Sequence, residues 1–240
     1  MSERRARETQ EAFVLHALPY RETSLLLEVF TRAFGRVTMV ARGARRPRSA
    51  LRGVLLAFQR LQISWYGRGE VRTLTRAEWL GGQRLLQGEA LLCGYYLNEL
   101  LMRLLAREDS HEALFERYHV ALQGLAVGGE SAPVLRGFEK ALLRELGYAM
   151  PLEREGIGGG EIDPDGIYTY DPERGPLEIS RNPGSELQLA GRTLLAIARD
   201  DYSAALTLQQ AKLLMRSLIN HRLDNQPLRS RRVFRELREL

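Results

Sequence analysis

Cysteine is nearly absent: Cys93 stands alone, inside an apolar segment. A single thiol excludes an internal disulfide, a cysteine-rich zinc site and an iron–sulfur cluster, and apolar neighbours read as a plain buried residue rather than a nucleophile. Long clean apolar runs are missing too. The most hydrophobic stretch, Leu80 to Leu105, is interrupted by Arg84, Glu89, Asn98, Glu99 and Arg103, so nothing approaches the roughly 20 residues of a membrane-spanning helix. The N-terminal MSERRARETQ has no apolar h-region, and a cytoplasmic, nucleoid-associated protein is expected. Lysine is scarce, with Lys140 and Lys212 the only two.

Acid is absent between Glu28 and Glu70, where nine arginines stand: Arg32, Arg36, Arg42, Arg45, Arg46, Arg48, Arg52, Arg60 and Arg68. Residues 1–80 carry 15 arginines against 7 acids, a net +8, and the remaining 160 carry 20 basic residues against 23 acids, a net −3. The two parts therefore face different partners, and the first suits a polyanion. With no acid from 29 to 69, that region has no carboxylate cluster to hold a nuclease metal.

Enzyme motifs fail on spacing. GIGGGE at 156–161 ends in Glu161 where a dinucleotide loop needs glycine. His111-Glu112 opens a zinc-protease helix, but Phe115 stands where the second histidine belongs, and His16, His111, His119 and His221 share no ligand spacing. DPDG at 163–166 has its glycine too early for a calcium loop and reads as a Pro-Asp-Gly turn. No cofactor, metal or catalytic site is expected.

The first 80 residues read as five strands: EAFVLHALPY, SLLLEVFT, GRVTMVAR, RLQISWYG and EVRTLTRAEW, parted by turns at Phe34-Gly35, Arg42-Gly43 and Gly67–Gly69. Val37, Met39 and Ala41 alternate with Arg36, Thr38, Val40 and Arg42, and Val71, Thr73 and Thr75 with Arg72, Leu74 and Arg76. The expectation is a small closed barrel with arginines outside. Beyond Gly82 the period becomes helical: Arg84–Ala106, apolar nearly all round, then Ser110–Ala126 and Ala132–Leu146. A Gly-, Pro- and Asp-rich stretch with one hairpin near Ile167–Tyr170 follows, then helices near Leu187–Arg199 and Leu208–Arg222, and a basic end, QPLRSRRVFREL, whose Leu228, Val233, Phe234 and Leu237 favour packing back.

A basic barrel with Trp65 and Tyr66 on one strand and Trp79 near the end of the last combines cations for phosphates with rings for bases; alternation has one of the first two filling the barrel. Phosphate contacts are expected from Arg36, Arg42, Arg45, Arg46, Arg48, Arg52, Arg68 and Arg72, and stacking from Trp65 or Tyr66. The rival reading is a protein-interaction adaptor whose barrel binds an acidic protein.

The segment AFVLHALPYRETSLLLEVFTRAFGRVTMVARGARRPRSALRGVL resembles the N-terminal region of the bacterial RecO family, and GRGEV, YYLNELLMRLL, LRGFEKALLRELGY and PLRSRRVFREL continue the resemblance to Leu237. It implies an α+β chain: a five-stranded OB-fold barrel over residues 1–80, then an all-α domain over 81–240 with a small irregular or β insertion at about 148–185. It further implies a recombination mediator without catalytic turnover, which binds single- and double-stranded DNA, anneals complementary strands, and with RecR loads RecA onto strands coated by the single-strand-binding protein SSB. Where many members have a four-cysteine zinc module, this chain has EREGIGGGEIDPDGIYTYDPERG, which places it with the zinc-free branch. The resemblance also implies that the acidic, Phe-ended SSB tail docks on the helical domain. On Ala132–Leu146, Arg136, Lys140 and Arg144 recur every four residues beside Leu135, Phe138, Leu142 and Leu146, a cationic border for such a tail; the alternative is a solvated row paired with Glu139 and Glu145.

Overall fold

The computed structural model describes residues 9–67, 69–148, 150–181 and 184–238, and of Arg181, Arg235, Leu237 and Arg238 the backbone only. Contacts divide the chain into two compact units, Met1–Gly129 with Leu228–Leu240, and Glu130–Pro227.

In the first unit β1 (Thr9–Tyr20), β2 (Ser24–Thr31), β3 (Gly35–Ala41), β4 (Arg60–Tyr66) and β5 (Val71–Trp79) close a barrel in the order β1-β2-β3-β5-β4. The early part of β1 pairs with β4 and its later part with β2, and a short parallel contact of β3 with β5 shuts the ring. This is the closed barrel expected from the strand pattern and the OB-fold that the resemblance implies. Val14, Leu27, Val29, Val37, Met39, Leu61, Ile63 and Leu74 fill it.

The alternation in β3 is as read, with Val37, Met39 and Ala41 inside. In β5 it is reversed: Leu74 is in the core, Val71 is exposed, and Arg72 lies on the Leu74 side. A row of threonines suits either face, and the stem of an arginine packs readily on apolar surface, so neither residue type marked the inside.

Two helices pack with the barrel. Helix α1 (Gly88–Leu104) starts later than its apolar pattern, at Gly88, whose φ is a positive 53°. It is not covered all round, since Tyr95 is exposed, and Leu85 is exposed ahead of it. Helix α2 (Glu112–Val127) sets Phe115 and Tyr118 with ring centres 5.2 and 5.0 Å from Phe13, which covers the outer side of β1. The Tyr118 hydroxyl donates to Asn98 Oδ1, and Asn98 Nδ2 donates to the Leu15 carbonyl. Burial pushes the Tyr118 phenol well above its ordinary value, so it stays a donor. The change from strand to helix near residue 80 is thus a change of element type, while packing keeps α1 and α2 with the strands.

In the second unit α3 (Ser131–Glu145) packs on a later helix and has Phe138, Leu142 and Leu143 buried. The insertion is more ordered than a loop. Residues 153–162 double back through the Glu155 to Gly160 and Ile162 to Glu153 backbone bonds, and β6 (Ile167–Asp171), β7 (Gly175–Glu178) and β8 (Leu189–Ala190) form a sheet ordered β7-β6-β8. Residues 163–166 form the Pro-Asp-Gly turn, closed by Gly166 N donating to the Asp163 carbonyl. Leu189 and Ala190, expected in a helix, are strand; α4 (Gly191–Ala198) begins where Gly191 passes so close to the Asp163 carbonyl that a Cβ would sit 1.8 Å from its oxygen. Helix α5 (Ala205–Arg222) is the partner of both α3 and α4.

The chain then returns to the first unit as α6 (Arg229–Arg238), which packs on α1. Leu228 is buried and Phe234 half-buried, Val233 is exposed, and the Leu237 side chain lies outside the described residues. The Glu99 carboxylate accepts from Arg229 N, Ser230 N and Ser230 Oγ, supplying the N-cap that the α6 sequence lacks. Among the described residues no helix is long and apolar enough to cross a membrane.

Candidate nucleic-acid interface

The segment after β3 is held to the barrel by its apolar members. Ala44 and Leu55 are buried in the barrel core, with Leu51 and Val54 packed against it. Its backbone is closed by Arg46 N to Gly43 O, Ser49 N to Arg46 O, Arg52 N to Ser49 O and Leu55 N to Leu51 O, through one tight 3-10 turn at Ala50–Gly53. Gly43 makes the first bend with φ 67°, a conformation that other residues adopt at a cost. With the small and apolar residues inward, Arg42, Arg45, Arg46, Arg48 and Arg52 are all exposed. Among the described residues none of the five has a carboxylate partner.

Arg32, Arg36, Arg60, Arg72 and Arg76 are different. Arg32 pairs with Glu116, Arg60 with Glu11 at 2.5 Å, Arg36 with Glu28 at 3.3 Å, and Arg76 with Glu78 at 2.5 Å. The Arg36 side chain is only 15% exposed and also donates to the Leu105 carbonyl. Burial lowers its pKa and the Glu28 charge works against that, so the pair is part of the fold. Arg72, 11% exposed, bonds Glu108 at 3.1 Å and stacks 5.5 Å from the Trp65 ring and 5.7 Å from Phe34. Arg36 and Arg72 therefore leave the expected phosphate surface: each cation is already neutralised and largely covered. Arg68 lies outside the described residues.

The aromatic pair resolves as alternation required. Trp65 is 5% exposed, edge-on to Phe34 in the barrel, so its ring is structural. Tyr66 is 46% exposed. It sits opposite Thr73, which pairs on its other side with Val40, two residues before Arg42, so the ring stands on the sheet leading into the arginine segment. Trp79 is 58% exposed but six residues further along β5, about 20 Å away at strand spacing.

Sequence reading missed Arg21. It forms the tip of the β1–β2 turn with φ 51°, is exposed, and holds its guanidinium 5.2 Å from the Tyr20 ring centre. The tip touches the arginine segment: Arg45 N donates to the Thr23 carbonyl at 2.9 Å, and Arg45 Nη1 to the carbonyls of Arg21 and Glu22 at 3.4 and 3.3 Å. Pairing of β2 with β3, which sets Leu25 opposite Ala41, brings residue 21 to residue 45, and no local sequence signal carries that.

In the second unit the α3 cations do not form one solvated row. Arg136 is buried and bonded to the buried Glu139 at 2.7 Å. Lys140 caps the end of α4, donating to the Ile197 and Ala198 carbonyls and to Asp200 at 2.7, 2.8 and 2.9 Å. Arg144 is the exposed member. Tyr202, buried, feels both Arg136 and Glu139, and its phenol is pushed up first by burial and then by the nearby acids.

Comparison with known proteins agrees with this architecture. The family model for the N-terminal part of recombination protein O matches residues 3–83, and that for its C-terminal part matches residues 85–232. Proteins described as DNA repair protein RecO are similar along the whole chain: that of Aromatoleum aromaticum is 56% identical over 240 residues, covering 100% of both chains, and that of Azoarcus sp. is 54% identical over 234 residues, covering 96% of each. That of Nitrosospira multiformis is 49% identical over 239 residues, covering 99% of each. With both parts of the chain matched and full-length relatives at this identity, the chain belongs to the RecO family of DNA repair proteins.

Proposed function

We propose that this protein binds single- and double-stranded DNA through the arginine segment of its OB-fold, anneals complementary strands, and acts with RecR to load RecA onto SSB-coated single strands, all by binding rather than turnover. Five exposed arginines without carboxylate partners among the described residues carry the reading. Such cations release condensed counterions when they meet phosphates and lower the repulsion between two strands. They contact no bases by any fixed geometry, and Tyr66 adds a stacking surface indifferent to sequence. The work is placed in the cytoplasm, on the nucleoid.

In the second unit the acidic SSB tail is proposed to meet α3, where Arg144 is the accessible cation. Arg136, held by Glu139 beside Tyr202, joins only if the tail carboxylate displaces that partner. The test is annealing of complementary oligonucleotides, bare and SSB-coated, with and without excess free tail peptide. The protein should anneal both substrates, and the peptide should inhibit only on coated strands. Failure to anneal bare strands removes the DNA reading. If DNA does not compete with an acidic protein bound to the barrel, the adaptor reading replaces it. Equal peptide inhibition on both substrates removes the tail contact.

A further inference from the structure

We infer that Arg45 is a positioning residue, which fastens the β1–β2 turn to the arginine segment so that Arg21 becomes part of the same phosphate-binding surface. The inference rests on the DNA-binding reading above and divides its arginines into two roles. The side chains of Arg42, Arg46, Arg48 and Arg52 are exposed with no hydrogen-bond partner among the described residues. Arg45 is different. Its backbone N–H and its Nη1 together reach three successive residues of the turn, accepting groups being the carbonyls of Arg21, Glu22 and Thr23.

Without Arg45 the carbonyls of this exposed turn would bond to water, which satisfies them but does not fix the turn, and Arg21 is held at a positive φ. A guanidinium has donors enough to serve two carbonyls at once and is never deprotonated. With the turn fixed, Arg21 is displayed with its guanidinium against the Tyr20 ring, which restricts the flexible stem before a ligand arrives and lowers the ordering cost of binding. Arg21 has no carboxylate partner among the described residues. The ligand it suits is the phosphodiester backbone of a nucleic acid strand.

If Arg45 acts by holding Arg21, the two substitutions cannot act independently. Affinity for an oligothymidine is measured by fluorescence anisotropy for wild type, Arg21→Gln, Arg45→Ala, the double variant and Arg45→Lys, with hydrogen exchange of the Glu22 and Thr23 amides in the free proteins. Arg21→Gln should weaken binding about fivefold, the scale of one solvent-exposed ionic contact. Arg45→Ala should weaken it at least as much and speed exchange at the turn. The double variant should bind no worse than Arg45→Ala alone, and Arg45→Lys, still a long donor, should keep most of the affinity. A double variant whose loss is the product of the single losses, or unchanged exchange in Arg45→Ala, would overturn the positioning role. Wild-type protein that binds with no salt dependence would instead overturn the DNA reading beneath it.

Discussion

Replacing Arg42, Arg46 and Arg48 together by alanine isolates the electrostatic part of binding, because these side chains are exposed and make no ion pair among the described residues. Folding should not change by more than about 0.5 kcal/mol per site, as for surface positions in general. On the proposed reading the wild-type segment neutralises four or five phosphates, and at about −0.7 per phosphate for single strands the expected slope of log K against log salt is about −3. Raising salt fourfold, from about 50 to 200 mM, then weakens wild-type binding about 60-fold. Without three of the contacts the slope falls to about −1, and the same change in salt costs the variant only about fourfold. The assay is an anisotropy titration of a labelled oligothymidine at four salt concentrations, with a thermal melt to show that both proteins are folded. A variant that keeps the wild-type slope would refute the reasoning, since its arginines would then not displace counterions.

Two further outcomes follow from burial. Trp65→Ala should lower stability by about 3–5 kcal/mol, since the ring fills the barrel, whereas Tyr66→Ala should leave the denaturant midpoint nearly unchanged and cost about 1–3 kcal/mol of single-strand affinity through lost stacking. Swapped effects would reverse the assignment of the two rings. His119 has its pKa lowered by burial and by Arg60, whose Nη1 lies 3.2 Å from Nε2, with Glu11 opposing. Protonation is therefore easier in the unfolded chain, so stability present above the ordinary histidine pKa of about 6.5 is lost as pH falls through the depressed folded value. Melting temperatures of wild type and His119→Gln between pH 7.5 and 5 should diverge, with the wild type falling more; parallel curves would exclude the linkage.

Much of the frame was legible in the chain. β2 runs over Ser24–Thr31, the span its apolar run marks, and β3, β4 and β5 end within a residue of their expected limits, because turn residues fix such ends locally. The face of β5 was not legible, since Leu74 among threonines and arginines gives no unambiguous inside. What covers the α3 row was not legible for a related reason. Spacing of four places Arg136, Lys140 and Arg144 on one side of a helix, but what covers that side comes from elsewhere: Lys140 is consumed by the end of α4, and Arg136 by Glu139 in the buried interior.

The sequence by itself determined that a basic five-stranded barrel precedes a helical region, and that arginine without nearby acid concentrates between Glu28 and Glu70. Only the tertiary structure decided which of those arginines remain available. Arg32 and Arg60 meet Glu116 and Glu11 across 84 and 49 residues of chain, and Arg72 meets Glu108, while no fold contact brings a carboxylate to the segment from Arg42 to Arg52 among the described residues. Charge attraction depends on separations of a few ångströms and on exposure to water, and both are set by which strands and helices are packed together, not by distance along the chain.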